Sequence, residues 1–239
     1  MNRPLATPRP RGDARTEAAF DAGLRRHMLS IYNNMGLGLI VTALVAMAVA
    51  STPALYGPIF GTPLKWVAML APLAFVFFLS FRIERMSLAT ARLTFFAFAG
   101  AMGVSMASIF LIFTGASIAL TFAVAAATFL SVSLWGYTTK ADLSGWGSFL
   151  FMGLVGIVIA GIANLFLGSS VLQLAVSAIG VLVFTGLTAW DTQRLKSEYV
   201  HFAGTEHAEK LGVMGALSLY LNLINLFQML LTFFGQREE

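Results

Sequence analysis

A few polar side chains interrupt long apolar stretches, and any chemistry of this chain resides there. Asp191 directly follows Trp190 at the end of one stretch. Ser218, Asn222 and Asn225 recur in another, which at about 100° per residue places them within about 60° of arc on a helix. Arg82 and Arg85 close a third. A carboxylate oxygen beside amide oxygens suits a hard cation such as calcium, which makes Asp191 and Asn222 candidate ligands. Such a carboxylate also titrates, with burial and a neighbouring arginine acting in opposite directions. An arginine at 82 or 85 that bonded Asp191 would hold a gate closed. Plainer accounts stand beside each of these. Asp191 can reach headgroup water and pair with Arg194 at i+3, and the two arginines can simply mark a cytoplasmic loop. The stripe can serve interhelical hydrogen bonds worth about 0.6 kcal/mol each.

Other chemistries lack their residues. None of His27, His201 and His207 lies in an apolar stretch, and there is no cysteine. No H-E-x-x-H zinc motif or phosphate-binding G-x-x-x-x-G-K occurs. A retinal Schiff base needs a lysine that the last stretch, 211–234, does not contain. An intramembrane aspartyl protease needs two opposed aspartates, and only Asp191 is at hand. A serine protease needs a buried base. The expectation is therefore a protein that is no enzyme and holds no cofactor, with calcium at most as a transported ion.

The elements that carry these residues follow from composition. Apolar residues make up 58% of the 239-residue chain and charged ones 11%, against roughly 25% charged in soluble domains. Mean hydropathy is +0.80. Too few charges remain to cover a soluble surface, so the partner is the lipid bilayer. The basic residues flank apolar runs, so the net charge of +4 reflects orientation rather than nucleic acid. The run from 93 to 135 carries no charge. As one helix it would be about 64 Å long, roughly twice the hydrocarbon thickness, so it must fold back, at Thr114-Gly115-Ala116-Ser117. The run from 146 to 190 repeats this, with Gly168-Ser169-Ser170 in its middle.

The fold expected is an all-α polytopic membrane protein of seven transmembrane helices, at about 31–50, 64–81, 93–113, 116–135, 146–167, 171–190 and 211–234. Residues 1–15 read as a disordered cytoplasmic tail and 16–236 as the membrane domain. From residue 16, Phe20, Leu24, Met28 and Ile31 mark a helical lead-in at the membrane surface. Pro53, Pro58 and Pro63 mark 51–63 as a turn. Asp142 or Ser144 can cap the fifth helix. Small residues on two helices, Gly153 to Gly161 and Ala97 to Gly103, offer packing faces. All Lys and Arg except Lys65 and Arg237 fall on one side, which makes the N-terminus cytoplasmic and the C-terminus periplasmic.

Three ordered motifs then carry a resemblance. They are Tyr137-Thr138-Thr139-Lys140-Ala141-Asp142-Leu143-Ser144-Gly145, Gly186-Leu187-Thr188-Ala189-Trp190-Asp191-Thr192-Gln193 and Ser218-Leu219-Tyr220-Leu221-Asn222-Leu223-Ile224-Asn225-Leu226-Phe227. With Gly23-Leu24-Arg25, Met28 and Tyr32, the chain resembles the Bax inhibitor-1 family over about residues 17 to 236, in its bacterial branch similar to the YccA proteins. The resemblance implies a central last helix surrounded by six others, in a bacterial inner membrane. It implies a pH-sensitive calcium leak with facing aspartates on helices six and seven and a latching arginine on helix two. Asp191 matches the first aspartate. Arg85 matches the arginine by spacing, with Arg82 close by. Asn222 stands where the family has its second aspartate. Two close carboxylates titrate as a pair, which Asp191 and Asn222 cannot do, and losing one charge weakens calcium binding. A second implication is a regulatory protein that binds the FtsH membrane protease without conducting ions.

Overall fold

The computed structural model describes residues 14–237, with side chains from residue 19 onward. Most of the tail expected at 1–15 lies outside the described residues. Its last two positions do not follow the expectation, because α1 runs unbroken from Ala14 to Ala50. At 1.5 Å per residue this helix is about 55 Å long, far more than one crossing needs. Its first part does not lie along a membrane surface either. Leu24, Met28 and Ile31 are buried, and the Phe20 ring lies 5.7 Å from that of Tyr199. The heptad-like face that reads as interfacial is spent on helix packing.

The 51–63 segment is a short helix, α2 (Pro53–Gly61), where a turn was expected. Pro53 occupies its first turn, where a missing N–H costs nothing and φ is already set. None of its residues is buried. Helix α3 (Leu64–Arg82) ends in a 3-10 turn at Ile83–Arg85. Ser87 then caps α4 (Leu88–Met106) by accepting from Thr90 N–H. The chain breaks into a single turn, α5 (Ile109–Ile112), and folds back where Thr114 caps α6 (Gly115–Thr138). Helix α7 (Trp146–Leu167) stops at Gly168, whose φ of 60° is left-handed and free of Cβ strain. Asn164 Oδ1 accepts from Ser169 N–H at 2.9 Å there. Ser169 caps α8 (Ser170–Phe202), and Thr205 caps α9 (Glu206–Phe234). Among the described residues, seven helices are long and apolar enough to cross a membrane.

Helix α9 is the hub. It packs on α1, α3, α4, α6 and α8, and Leu219, Tyr220 and Leu226 on it are fully buried. Helix α7 is peripheral, with Phe149, Phe151, Met152 and Phe166 turned outward. Outward apolar side chains are expected where acyl chains replace water, since lipid offers no hydrophobic drive between helices and close packing must hold them. Of the expected small-residue faces, Gly103 and Gly153 meet neighbours, while Gly100, Gly156 and Gly161 face open space. The closest glycine approach to another helix's backbone is elsewhere. A Cβ at Gly136 would lie 2.5 Å from the Ala189 carbonyl oxygen, so α6 touches the backbone of α8 there.

The two ends of α9 lie at opposite ends of the bundle. Its start meets the α3–α4 connection, where His207 Nδ1 lies 3.4 Å from Glu84 and Arg92 lies 3.9 Å from Glu209. Its end meets the α5–α6 turn, where Thr114 N–H donates to Gln236 O at 3.0 Å and Gln236 N–H to Ser117 Oγ at 2.9 Å. The last helix therefore traverses the full length of the bundle.

Candidate functional site

The decisive departure from sequence expectation is the length of α8. A sixth span ending at Trp190 would leave Asp191 at a helix end. Instead α8 continues to Phe202, so Asp191 stands mid-helix. It faces α9 and is only 5% exposed. Asn222 on α9, also 5% exposed, donates from Nδ2 to Asp191 Oδ2 at 2.8 Å. Arg194, one turn on, places Nη2 2.7 Å from Asp191 Oδ1. Both readings open in the sequence meet in one geometry. Asp191 turns inward to Asn222 and pairs with Arg194 at the same time.

Arg194 is held on three sides. Its guanidinium carbon lies 4.8 Å above the Trp190 ring, a favourable cation–π position. Its Nε lies 3.5 Å from Glu198 Oε1, too far for a hydrogen bond, so this buried donor is unsatisfied. The Arg194 side chain is 35% exposed and borders a cavity of about 360 Å³ with Lys140, Asp142, Ser144 and Gln193. The inner side of this arginine thus meets the buried carboxylate, and its outer side meets an open vestibule.

The vestibule wall is pinned to α8 by two side chains. Gln193 Oε1 accepts from Leu143 N–H and its Nε2 donates to Ala141 O, both at 2.8 Å. Lys196 donates to Tyr137 O at 3.1 Å. Asp142 does not cap α7. It accepts from Ser144 N–H at 2.9 Å within the loop, and Gly145, which precedes α7, offers the helix no side-chain cap. Those Ser144 hydrogen bonds hold the exposed Asp142 carboxyl below its ordinary value.

The remaining candidates are not brought to Asp191. Arg82 and Arg85 are exposed, and neither forms an ion pair among the described residues. In this conformation the Asp191 oxygens are taken by Arg194 and Asn222. The Ser218–Asn222–Asn225 stripe also divides. Asn225 bonds back to Leu221 O at 2.8 Å, and Asn225 and Ser218 are half-buried. A second hydroxyl chain escaped the sequence reading. Tyr32 bonds Ser133, and Ser133 bonds Thr192 at 2.9 Å, which ties α1, α6 and α8 beside Asp191. Its only signal was small hydroxyl residues inside apolar runs, which read equally as packing.

The three motifs therefore converge on one place: the loop at 137–145, the α8 segment at 186–193 and the α9 stripe at 218–227. The family model described as inhibitor of apoptosis-promoting Bax1 matches residues 24–239. This chain belongs to the Bax inhibitor-1 family. Inner membrane protein YbhL of Escherichia coli K12 is 43% identical over 231 residues, covering 95% of this chain and 98% of that protein. A Rickettsia prowazekii protein is 44% identical over 220 residues, 92% of this chain and 93% of the relative. A Streptococcus pyogenes membrane protein is 31% identical over 220 residues, 91% of this chain and 96% of the relative. The family, the seven apolar helices and the YbhL relative make this a multi-pass inner membrane protein.

Within this Bax inhibitor-1 protein the donor set is sparse for a stored cation. Calcium takes six to eight oxygens. Among the described residues no cluster of three His, Cys, Asp or Glu side chains exists. At Asp191 one carboxylate and one amide are present, and the amide presents its nitrogen to the carboxylate. In this conformation Arg194 occupies Asp191 Oδ1 and Asn222 occupies Oδ2.

Proposed function

We propose that this protein is a cation leak pathway of the inner membrane, permeable to calcium and shut at its basic end by the Arg194–Asp191–Asn222 link. The observation that carries the reading is the buried Asp191 joining α8 to the central helix α9. An ionisable side chain inside a membrane bundle is costly and marks a functional site by default, ion paths among them. Calcium enters the proposal through the carboxylate and through the family. The basic-residue bias supports a cytoplasmic N-terminus, and a last helix that runs the length of the bundle supports a periplasmic C-terminus.

The link also supplies a pH response of definite sign. An ionised Asp191 holds the Arg194 guanidinium at 2.7 Å. A protonated one does not, so flux rises as pH falls through the Asp191 titration. Asn222 changes the form of this response. Two facing carboxylates need a shared proton to bond each other, whereas the Asn222 amide donates at any pH. The α8–α9 bond is thereby independent of protons, and only the arginine contact titrates.

The test is calcium entry into proteoliposomes containing the purified protein from about pH 4, the ordinary carboxylate range, to about pH 8, beside Asp191→Asn. Protein-dependent flux whose pH response disappears in the variant supports the proposal. Flux no greater than that of empty liposomes at every pH refutes it.

A further inference from the structure

A second charged cavity shares no lining residue with the one beside Arg194. It measures about 630 Å³ and opens between α1, α4 and the start of α9. Arg26 and Arg92 line it, and so do Glu206 and Glu209. Their existing partners are weak or few. Arg92 stands 3.9 Å from Glu209 with both side chains about half exposed, and Arg26 forms no ion pair among the described residues. Glu206 meets Lys210 at 3.2 Å. Ser30 and Asn34 add neutral polar groups to the α1 wall. One cavity thus presents two guanidinium groups and two carboxylates.

Its depth in the membrane follows from the elements. Arg26, Arg92 and Glu209 each stand at the basic end of a crossing helix, at the level of lipid headgroups. Along α1, Arg26, Ser30, Asn34, Leu37, Val41 and Leu44 fall within about 80° of arc at about 100° per residue. Leu37 and Leu44 are exposed, at 53% and 58%. The polar cavity therefore passes directly into an outward apolar stripe running towards the bilayer centre.

We propose that this cavity binds a phospholipid whose zwitterionic headgroup carries a primary ammonium, with Arg26 and Arg92 on the phosphate and Glu206 and Glu209 on the ammonium. Basic pockets between helices at a membrane surface take lipid phosphates, and guanidinium groups suit phosphate oxygens. The carboxylates set the specificity. An anionic headgroup without an amine leaves Glu206 and Glu209 facing its negative charge, and a quaternary amine offers them no N–H. The acyl chain lies against Leu37 and Leu44.

The experiment is native mass spectrometry of the full chain purified with equal amounts of phosphatidylethanolamine, phosphatidylcholine and phosphatidylglycerol. Phosphatidylethanolamine should be retained about tenfold over phosphatidylglycerol, the ratio that one extra charge-assisted contact supplies. In a Glu206→Gln, Glu209→Gln variant this preference should fall towards unity with lipid still bound. In an Arg26→Gln, Arg92→Gln variant, retention itself should fall about tenfold. Glycerophosphoethanolamine added to the unmodified protein should displace the lipid only at much higher concentration than the lipid itself, because it lacks chains for the apolar stripe. Equal retention of the three lipids overturns the proposal, as does unchanged binding by the arginine variant. Displacement by the free headgroup at equal concentration overturns the lipid assignment.

Discussion

Replacing Arg194 by glutamine tests the closing link most directly. The change keeps most of the stem and a polar end but removes the charge 2.7 Å from Asp191 Oδ1. Stripping one partner from a fully buried ion pair costs about 3–5 kcal/mol. Asp191 is buried, but the Arg194 side chain is 35% exposed, so solvent screens part of the attraction and about 1–2 kcal/mol is the appropriate share. That corresponds to about a 5- to 30-fold shift of the closed-to-open ratio. If the pathway is mostly closed, calcium entry into proteoliposomes at a pH near 7.5 should accelerate by about the same factor. Arg82→Gln and Arg85→Gln should each change the rate less than about twofold, since neither side chain reaches Asp191 and exposed charges contribute little. An Arg194→Gln protein that elutes like the parent and conducts no faster would refute the reasoning. Acceleration in the Arg82 or Arg85 variant instead would move the latch to the α3–α4 connection.

Three further outcomes follow from the same geometry. Asn222→Asp should add a second step to the pH profile of flux, rising with pH, because deprotonating the new pair sets two like charges across α8 and α9 and Arg194 offsets only one; a profile identical to the parent's would count against the Asp191–Asn222 bond. Gly136→Ala places a Cβ 2.5 Å from the Ala189 carbonyl oxygen and should cost about 1–3 kcal/mol, seen as a lower unfolding temperature in detergent, while Gly156→Ala, with nothing within 4 Å, should leave that temperature unchanged. Asp142 has its carboxyl held below the ordinary value by Ser144, so its contribution is complete above the unfolded value of about 4 and is lost only as pH falls through the lowered folded value; Asp142→Asn should therefore leave the shape of the flux profile between about pH 6 and about pH 8 unaltered, and a displaced profile would mean that the loop carboxylate shares in gating.

Span number and type were legible because lipid imposes them. A backbone in hydrocarbon must satisfy its own hydrogen bonds, so charge-free runs become helices, and a run twice too long must reverse. The reversals at Thr114 and Gly168 were readable from capping and turn chemistry that acts over three or four residues. Helix ends without such signals were not readable. Nothing local stops α8 at Trp190, and the polar residues that follow remain helical because they find partners on α6, α9 and the 137–145 loop. The lead-in of α1 read as interfacial for the same reason, since an apolar stripe looks alike whether it meets headgroups or Tyr199.

Sequence by itself determined that this is a seven-helix membrane protein and that its polar exceptions are Asp191 and the α9 amides. Those facts depend on residue identity and on periodicity along one chain. Only the tertiary structure decided that Arg82 and Arg85 stay away from Asp191, that Asn222 alone of its stripe reaches across, and that Tyr32, Ser133 and Thr192 form a chain beside it. Such choices turn on interaxial distance and helix rotation, which no single helix encodes. Arg194 prevails over Arg82 and Arg85 because, one turn away on the same helix, it reaches the buried carboxylate with no help from the packing of another span.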